Sequence, residues 1–108
     1  MQDFPDWGKP VRPTLFTPTG SGVTVLATTG TAVAIRAATP SGKAVIKARR
    51  ANAGTVYLGT STVTDDEDPD TGGLQLDPGD FIVVSGTNLG DLWIDGAAGD
   101  GVSYAWWV

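Results

Sequence analysis

The sequence predicts a small all-β domain: an antiparallel β-sandwich of about eight strands, jelly-roll-like or closed into a small barrel. Two observations favour this class. From residue 23 onward, short runs rich in Val, Ile and Thr alternate with Gly, Pro, Asn and Asp, which is the pattern of strands joined by turns. No stretch sustains the apolar spacing of an amphipathic helix. A chain of 108 residues fits one such domain with a single core.

The predicted strands follow one another at short intervals, each bounded by residues that favour turns. Asp77-Pro78-Gly79-Asp80 presets a tight turn, and Asn52-Ala53-Gly54 is expected to turn a hairpin with its glycine at positive φ. Thr29-Gly30 and Ser41-Gly42 provide two further turn positions. The predicted strands are residues 23–27, 31–37, 43–50, 55–59, 74–76, 81–85, 92–95 and 102–108.

Residues 1–20 are predicted to form an extended N-terminal arm, and residues 21–108 the β-sandwich domain. Four prolines recur in the arm and exclude a regular helix. An extended segment cannot shelter the aromatic side chains of Phe4, Trp7 and Phe16 within itself. The arm either lies across its own domain or buries these aromatics against a neighbouring subunit or partner, and we favour the second. A disordered terminus is a further alternative.

Alternation along the strands predicts which side chains enter the core. In the strand at residues 43–50, Ala44, Ile46 and Ala48 form an apolar face, with Lys47 on the opposite face. By the same rule Val56 and Leu58 face the core and Tyr57 faces out, and Leu92 and Ile94 lie on the face opposite Trp93. In the last strand Val102, Tyr104 and Trp106 share one face, and Trp107 lies on the other.

Two tryptophans end the last predicted strand, on opposite faces. At least one of Trp106 and Trp107 is therefore expected outside the core. Exposed tryptophans on outer strands are typical of interfaces, although the arm of the same chain is an alternative cover. The predicted interface residues are Phe4, Trp7, Phe16, Trp93, Trp106 and Trp107.

The net charge of −5 is unevenly distributed along the chain. Residues 1–50 carry seven basic side chains against two acidic ones, whereas residues 51–108 carry ten acidic side chains and no basic one, which gives charges of +5 and −10. Unlike-charged surfaces steer and orient association between copies or with a partner. The alternative is that strands from both halves interleave in the same sheet and the charges mix.

The residue inventory argues against catalysis. The sequence has no His and no Cys, so the common catalytic triads and most transition-metal sites are excluded. No phosphate-binding or dinucleotide-binding glycine motif occurs. No apolar run is long enough to span a bilayer, and the basic residues cluster only within residues 43–50. We therefore expect no enzyme activity, no cofactor, no metal, and neither a membrane nor a nucleic-acid partner.

An acidic run, Asp65-Asp66-Glu67-Asp68-Pro69-Asp70, interrupts the strand pattern. Adjacent carboxylates in a polar loop are solvated and unsuited to the paired-acid chemistry of glycoside hydrolysis. Clustered carboxylates also suit calcium, although this spacing is not that of an EF-hand loop, and we favour a solvated loop over a calcium site. Asp91, Asp95 and Asp100 lie near glycines and are interpreted as turn residues that accept hydrogen bonds from backbone amides.

Four of these segments, in their order along the chain, resemble a small β-sandwich module common among virion proteins of tailed phages. The resemblance covers about residues 23–105, and the acidic run and the terminal Trp106-Trp107-Val108 depart from the pattern. It implies a capsid decoration protein, a head fibre or spike, or a tail accessory protein, usually homo-oligomeric. The segments are Ala51-Asn52-Ala53-Gly54-Thr55-Val56-Tyr57-Leu58-Gly59, Leu76-Asp77-Pro78-Gly79-Asp80-Phe81, Asn88-Leu89-Gly90-Asp91-Leu92-Trp93-Ile94-Asp95-Gly96 and Gly99-Asp100-Gly101-Val102-Ser103-Tyr104.

We therefore expect a non-enzymatic structural protein located in the virion. In the first hypothesis it is a capsid decoration or head accessory protein that binds the phage shell or other virion proteins through its arm and exposed aromatics. It is then a homo-oligomer, with a trimer at a shell symmetry axis favoured. In the second hypothesis it is a tail or fibre module, in which Trp93, Tyr57 or Trp107 stacks on a host surface glycan.

Overall fold

The computed structural model describes residues 17–66 and 68–108. Most of the predicted arm, including Phe4, Trp7 and Phe16, lies outside the described residues, as does Glu67. The first strand begins at Gly20. The conformation of the arm and its role stay predictions.

Eight strands are present in the described part of the chain, in the order that the turn chemistry predicts. A short 3-10 helix, Leu89–Asp91, lies between the sixth and the seventh strand. The strands are β1 Gly20–Val25, β2 Val33–Ala34, β3 Pro40–Ala48, β4 Val56–Gly59, β5 Leu74–Leu76, β6 Phe81–Asn88, β7 Trp93–Asp95 and β8 Gly101–Trp107.

The strands form two four-stranded antiparallel sheets. Sheet 1 has the order β1-β8-β3-β6, and sheet 2 has the order β2-β7-β4-β5. The first strand pairs with the eighth, the second with the seventh, the third with the sixth and the fourth with the fifth. This nested pairing is the double Greek key of a jelly roll. The predicted β-sandwich is confirmed, and of the two predicted forms the jelly roll is the one observed.

β2 is much shorter than the predicted strand at residues 31–37. After Ala34 the N–H of Ile35 donates to the carbonyl oxygen of Leu92 at 2.8 Å, and the chain then bends over residues 35–38. The bend is needed because β2 belongs to sheet 2 and β3 to sheet 1. Local strand propensity does not encode that crossing.

β3 and β6 are both longer than predicted. β3 begins at Pro40, so Ser41 and Gly42 lie in the strand and the expected turn at these residues is wrong. The Ser41 hydroxyl donates to the carbonyl oxygen of Thr87 at 3.0 Å and so supports the pairing at the far end of β6. Long-range pairing has overridden the local turn preference of the Ser-Gly pair.

The core lies between the two sheets and follows the predicted alternation. Ala44, Ile46 and Ala48 of β3 are fully buried, and so are Val56 of β4 and Val102 of β8. Each buried Val, Leu or Ile side chain contributes roughly 1.5–3 kcal/mol to folding relative to an exposed one. The other core side chains are Leu26, Ile35, Leu58, Leu76, Leu89, Ile94, Tyr104 and Trp106.

Two buried polar side chains hold the connection between β3 and β4. Asn52 exchanges two hydrogen bonds with the backbone of Gly101, each 2.9 Å long. The Asp100 carboxylate accepts from the N–H groups of Ala53 and Gly54 at 2.8 and 3.1 Å. Gly54 is not among the described glycines with positive φ, so the expected tight hairpin is wrong. The connection crosses between sheets, and the role of Asp100 as a turn residue is confirmed.

Candidate interaction faces

Alternation in sheet 1 sends every second side chain away from the core. Val45 of β3 pairs with Val83 of β6 and with Ala105 of β8, so these side chains lie side by side on the outer surface. We call this surface the sheet 1 face. Its side chains are Ser21, Val23, Val25, Lys43, Val45, Lys47, Phe81, Val83, Ser85, Ser103, Ala105 and Trp107.

The sheet 1 face is apolar and open to solvent. Phe81 is 64% exposed, Val23 58%, Val83 49% and Val25 45%. Single exposed apolar side chains are ordinary on a protein surface, but a contiguous set marks an interaction site. The sheet 1 face is therefore a candidate binding surface.

Two lysines give the sheet 1 face a positive charge. Lys43 and Lys47 lie on β3, an inner strand of the sheet, where they pair with Trp107 and Ser103 of β8. The four strands of sheet 1 contain no acidic residue. Strands from both halves of the sequence do interleave in each sheet, yet the described carboxylates all lie in sheet 2 or in the connections. Charge is thus separated by sheet.

The outer surface of sheet 2 carries aromatic and polar groups. Tyr57 of β4 pairs with Asp95 of β7 and with Gln75 of β5. Trp93 pairs with Gly59, two positions along the same strands, so its ring and that of Tyr57 are diagonal neighbours. We call Tyr57, Gln75, Trp93 and Asp95 the sheet 2 face.

The connection between β4 and β5 packs against one end of the sheet 2 face. Val63 is only 5% exposed, and a Cβ atom placed on Gly59 would lie 2.9 Å from its Cγ2 atom. The glycine opposite Trp93 therefore makes room for the loop. Trp93 and Tyr57 are both half-buried, so each ring offers part of its surface to solvent.

Aspartate side chains organise the acidic run within that connection. Asp66 accepts from the Thr64 hydroxyl at 2.6 Å and from the N–H of Asp68 at 3.0 Å, and these bonds hold its pKa below the usual value. Asp68 accepts from the N–H groups of Asp70 and Thr71 at 2.8 and 3.2 Å. Over the described residues, no three acidic side chains are grouped so as to hold a metal ion.

Asp95 is the buried acid of the sheet 2 face. It is 2% exposed, and its carboxylate accepts from the N–H of Gly96 at 2.7 Å, as expected of a turn residue. Burial raises its pKa, the Gly96 hydrogen bond opposes that shift, and the negative charges of Asp65 and Asp66 add to it. The acidic loop therefore acts electrostatically on the sheet 2 face.

Trp106 lies in the core, so the prediction that it is an interface residue is wrong. It is 7% exposed, its ring lies across Gly20 of β1, and it stacks with Tyr104 at 6.0 Å between centroids. The Arg36 guanidinium lies 4.6 Å from the centre of its ring, a cation–π contact. Alternation explains the burial, because Trp106 shares the inward face of β8 with Tyr104.

The two other described tryptophans lie on different surfaces. Trp107 is half-buried on the sheet 1 face and Trp93 is half-buried on the sheet 2 face, so they do not form one site. The most exposed side chains of the sheet 1 face, Val23, Phe81 and Val83, were not predicted. A signal for Phe81 and Val83 exists in the sequence, because β6 carries apolar side chains on both of its faces.

No protein-family model, curated protein or solved structure matches this chain. In the part that the structure describes, no helix is both long enough and apolar enough to cross a membrane. The function is therefore inferred from the fold, the two faces and the chemistry of their side chains.

Proposed function

We propose that the chain is a non-enzymatic structural protein of a tailed-phage virion, acting as a capsid decoration or head accessory protein. The sheet 1 face carries this proposal, because it is a four-stranded apolar surface with two lysines and no carboxylate. The resemblance in sequence supports the placement in a virion. Viral capsid domains include jelly rolls, but so do lectins, so the fold alone does not choose between them.

The sheet 1 face covers about half of the area that one partner buries in a standard interface. Four strands about 4.8 Å apart and 20–25 Å long cover roughly 450 Å². A standard interface buries about 800 Å² on each partner. The aromatic side chains of the arm, which bury roughly 150–250 Å² each, would supply the remainder. Sheet 1 and the arm together therefore account for a stable contact with the shell.

The charges of the sheet 1 face define the partner's chemistry. Lys43 and Lys47 flank Val45 on β3, and their cross-strand neighbours include the rings of Trp107 and Phe81. Their aliphatic stems add to the apolar surface, and their ammonium groups favour an anionic partner. A complementary surface is apolar and carries carboxylates near its centre. Trp107, beside Lys43, is an aromatic anchor of the kind that dominates binding energy.

The opposite side of the sandwich would then face solvent. The acidic run at residues 65–70 follows β4 of sheet 2, away from the sheet 1 face. A negative outer surface keeps a densely decorated particle soluble, because neighbouring particles repel one another. The separation of charge between the sheets thus fits a protein with one bound side and one solvated side.

Immunoelectron microscopy of purified particles tests the placement. An antibody raised against residues 60–73 recognises the side that the proposal leaves exposed. Label spread over the head is the expected result, and label confined to the neck or the tail tip would favour a tail protein. Particles that lack the chain altogether, by mass spectrometry, would refute the virion assignment.

The homo-oligomer that the resemblance implies is part of the same proposal. The resemblance favours a trimer at a symmetry axis of the shell, whereas pairing between the edge strands of two copies would give a dimer. Sedimentation equilibrium of the purified 11.1 kDa chain measures the copy number directly. A single-chain mass throughout the micromolar range would contradict a stable oligomer.

A second candidate function, recognition of a host glycan, rests on the sheet 2 face. Trp93 and Tyr57 are neighbouring rings, and the exposed Gln75 adds an amide beside Tyr57, whereas the Asp95 carboxylate is buried. Sugar rings stack on aromatic side chains and exchange hydrogen bonds with such polar groups. Trp107 lies on the other sheet and is not part of this surface.

Tryptophan fluorescence distinguishes the second candidate from the first. If the sheet 2 face binds a glycan, a panel of host surface sugars includes one that shifts the emission of the wild type. The matched Trp93→Phe variant would lose that shift, whereas Trp107→Phe would keep it. An unchanged spectrum across the whole panel would contradict glycan binding by this face.

A further inference from the structure

The outer edge of sheet 1 at β6 is unguarded. β6 spans Phe81–Asn88 and pairs only with β3. Its sequence, Phe-Ile-Val-Val-Ser-Gly-Thr-Asn, contains no charged residue and no proline, the two devices that usually prevent an edge strand from pairing with another chain. The edge strands of sheet 2 are only two and three residues long, and β1 contains two glycines. Gly86, at a φ of 61°, distorts the far end of β6, so residues 81–85 are the strongest pairing edge in the described domain.

The backbone of β6 presents free hydrogen-bonding groups at that edge. The N–H of Ala48 donates to the carbonyl oxygen of Asp80 at 2.8 Å, so even-numbered residues at this end of the strand bond to β3. Alternation then directs the N–H and C=O groups of Phe81, Val83 and Ser85 away from β3. The N–H of Arg49 donates to the carbonyl oxygen of Gly101, the first residue of β8. Successive residues at this end of β3 therefore bond toward β6 and toward β8 in turn, as this alternation requires.

A groove lined by apolar side chains and by the polar Gln75 and Asp80 accompanies the same edge. It measures about 390 Å³ and lies between β6 and β5, the adjacent edge of sheet 2. Leu74 and Phe81, which line it, are 49% and 64% exposed. Leu76 and Ile82 complete its apolar wall. Unsatisfied strand hydrogen bonds and uncovered apolar side chains therefore occur together.

We propose that β6 pairs antiparallel with β6 of a second copy, across a two-fold axis at Val83. Val83 then faces its own equivalent, Phe81 faces Ser85, and Ile82 faces Val84. About six backbone hydrogen bonds form between Phe81, Val83 and Ser85 of the two chains. The two copies share one eight-stranded sheet, and their sheet 1 faces become continuous.

A second copy fits this edge better than the chain's own arm. β6 is uncharged, so no like charges meet at the axis, and the lysines of the two β3 strands are three strand spacings apart, about 14 Å. That separation exceeds the Debye length of about 8 Å at physiological salt. The arm, by contrast, has prolines at positions 10, 13 and 18 that cannot donate to a strand ladder.

Single-cysteine crosslinking tests the register, because the sequence contains no cysteine. Directly opposed residues have Cα atoms about 5.5 Å apart, within the range of a disulfide. Val83→Cys should therefore form a covalent dimer on mild oxidation. Phe81→Cys and Ser85→Cys should each form no covalent dimer alone, but the two variants should crosslink to each other when mixed. Val23→Cys, on the same face but at the opposite edge, is the matched control and should not crosslink.

The mass in solution tests the contact independently of crosslinking. The wild type should sediment at twice the mass of the 11.1 kDa chain at micromolar concentration. Val83→Pro removes an N–H that the single chain does not use, and should halve that mass with the β-sheet circular dichroism retained. Val83→Lys, which sets two ammonium groups at the axis, should do the same, whereas Val23→Lys should not.

Several outcomes would overturn this contact. They are a monomeric wild type, a dimer that survives both Val83 variants, or Val23→Cys crosslinking as well as Val83→Cys. A trimer in which Val83→Cys crosslinks only to Val23→Cys would replace it with a ring built from β6 and β1 edges. These results do not depend on particle labelling, so the β6 contact and the virion assignment can fail separately.

Discussion

Both sheets contribute apolar side chains to the core, but their outer surfaces differ in composition. Strands of sheet 1 are six to nine residues long, and their outer surface is apolar and basic. Strands of sheet 2 are two to four residues long, and their outer surface carries rings, an amide and a buried acid. Because folding needs only the inward faces, the outward faces are free to differ. Under the proposed function, this difference separates the side that docks on the shell from a solvated side that carries the β4–β5 connection.

Gly101→Val should reduce the stability of the protein more than any other change considered, because it disrupts sheet 1 itself. A Cβ atom at Gly101 would lie 2.1 Å from the carbonyl oxygen of Thr24, a backbone clash that separates β1 from β8. We expect a loss of about 4 kcal/mol or more in the free energy of unfolding, measured by urea denaturation. Gly42→Ala, whose nearest new contact is 3.4 Å away, is the control and should change stability by less than about 0.5 kcal/mol.

Replacing each terminal tryptophan separates the two surfaces of sheet 1. Trp106→Ala should cost about 3–5 kcal/mol, because a buried ring and its contact with Tyr104 are lost. Trp107→Ala should cost about 1 kcal/mol or less, yet should weaken attachment to particles at least tenfold. Thermal unfolding and co-sedimentation with particles measure the two effects. Equal losses of stability would contradict the assignment of one ring to the core and one to the face.

Asp100→Ala tests how the two sheets are joined. The change leaves the N–H groups of Ala53 and Gly54 without their acceptor in a part-buried connection. The expected cost is roughly 2–3 kcal/mol in the free energy of unfolding. Asp91→Ala removes a similar but exposed carboxylate and should be nearly neutral. If both variants unfold at the same urea concentration, the hydrogen bonds of Asp100 do not stabilise the connection between the sheets.

Asp95→Asn should have the smallest effect, and it should stabilise. Burial raises the pKa of Asp95 from its usual 3.8, so the folded protein binds this proton more tightly than the unfolded chain. The contribution of Asp95 to stability therefore falls as pH rises through the interval between the unfolded and folded values. The amide still accepts from Gly96 without a charge. The Tm of the variant should exceed that of the wild type at pH 7.

The pH dependence of that difference is the decisive feature. The advantage of Asp95→Asn should shrink as pH falls from the raised folded-state value toward the ordinary value of 3.8, and should vanish below it, where Asp95 is protonated in both the folded and the unfolded state. Asp91→Asn, on the exposed 3-10 helix, should show no such trend. A constant difference at all pH values would mean that packing, not ionisation, distinguishes the variant.

Alternation and turn chemistry were sufficient to predict much of the fold. The pattern at Ile46 and at Leu58 assigned these side chains to the inward face correctly, and the Pro78-Gly79 turn forms with Gly79 at a φ of 91°. These features depend on neighbouring residues only. The short β2, the crossing after β3 and the strand status of Gly42 depend on which strands are partners, and local sequence does not contain that information.

The sheet 1 face was missed for the same reason. Val23, Val45 and Val83 belong to strands far apart in the sequence, and they gather only because β8 and β3 lie between β1 and β6. The interface prediction relied instead on tryptophans, because a single tryptophan can be recognised in the sequence without knowing which strands are neighbours. One of them, Trp106, was expected in an interface and lies in the core instead.

The most direct test is to compare the accessibility of the two sides in free and assembled protein. Val23→Cys marks the sheet 1 face and Thr62→Cys marks the β4–β5 connection, both at exposed positions of a chain without cysteine. A maleimide should label both variants in solution. In particles that incorporate them, it should label Thr62→Cys as before, whereas Val23→Cys should be protected at least tenfold. Equal labelling of Val23→Cys in free and assembled protein would contradict docking through the sheet 1 face.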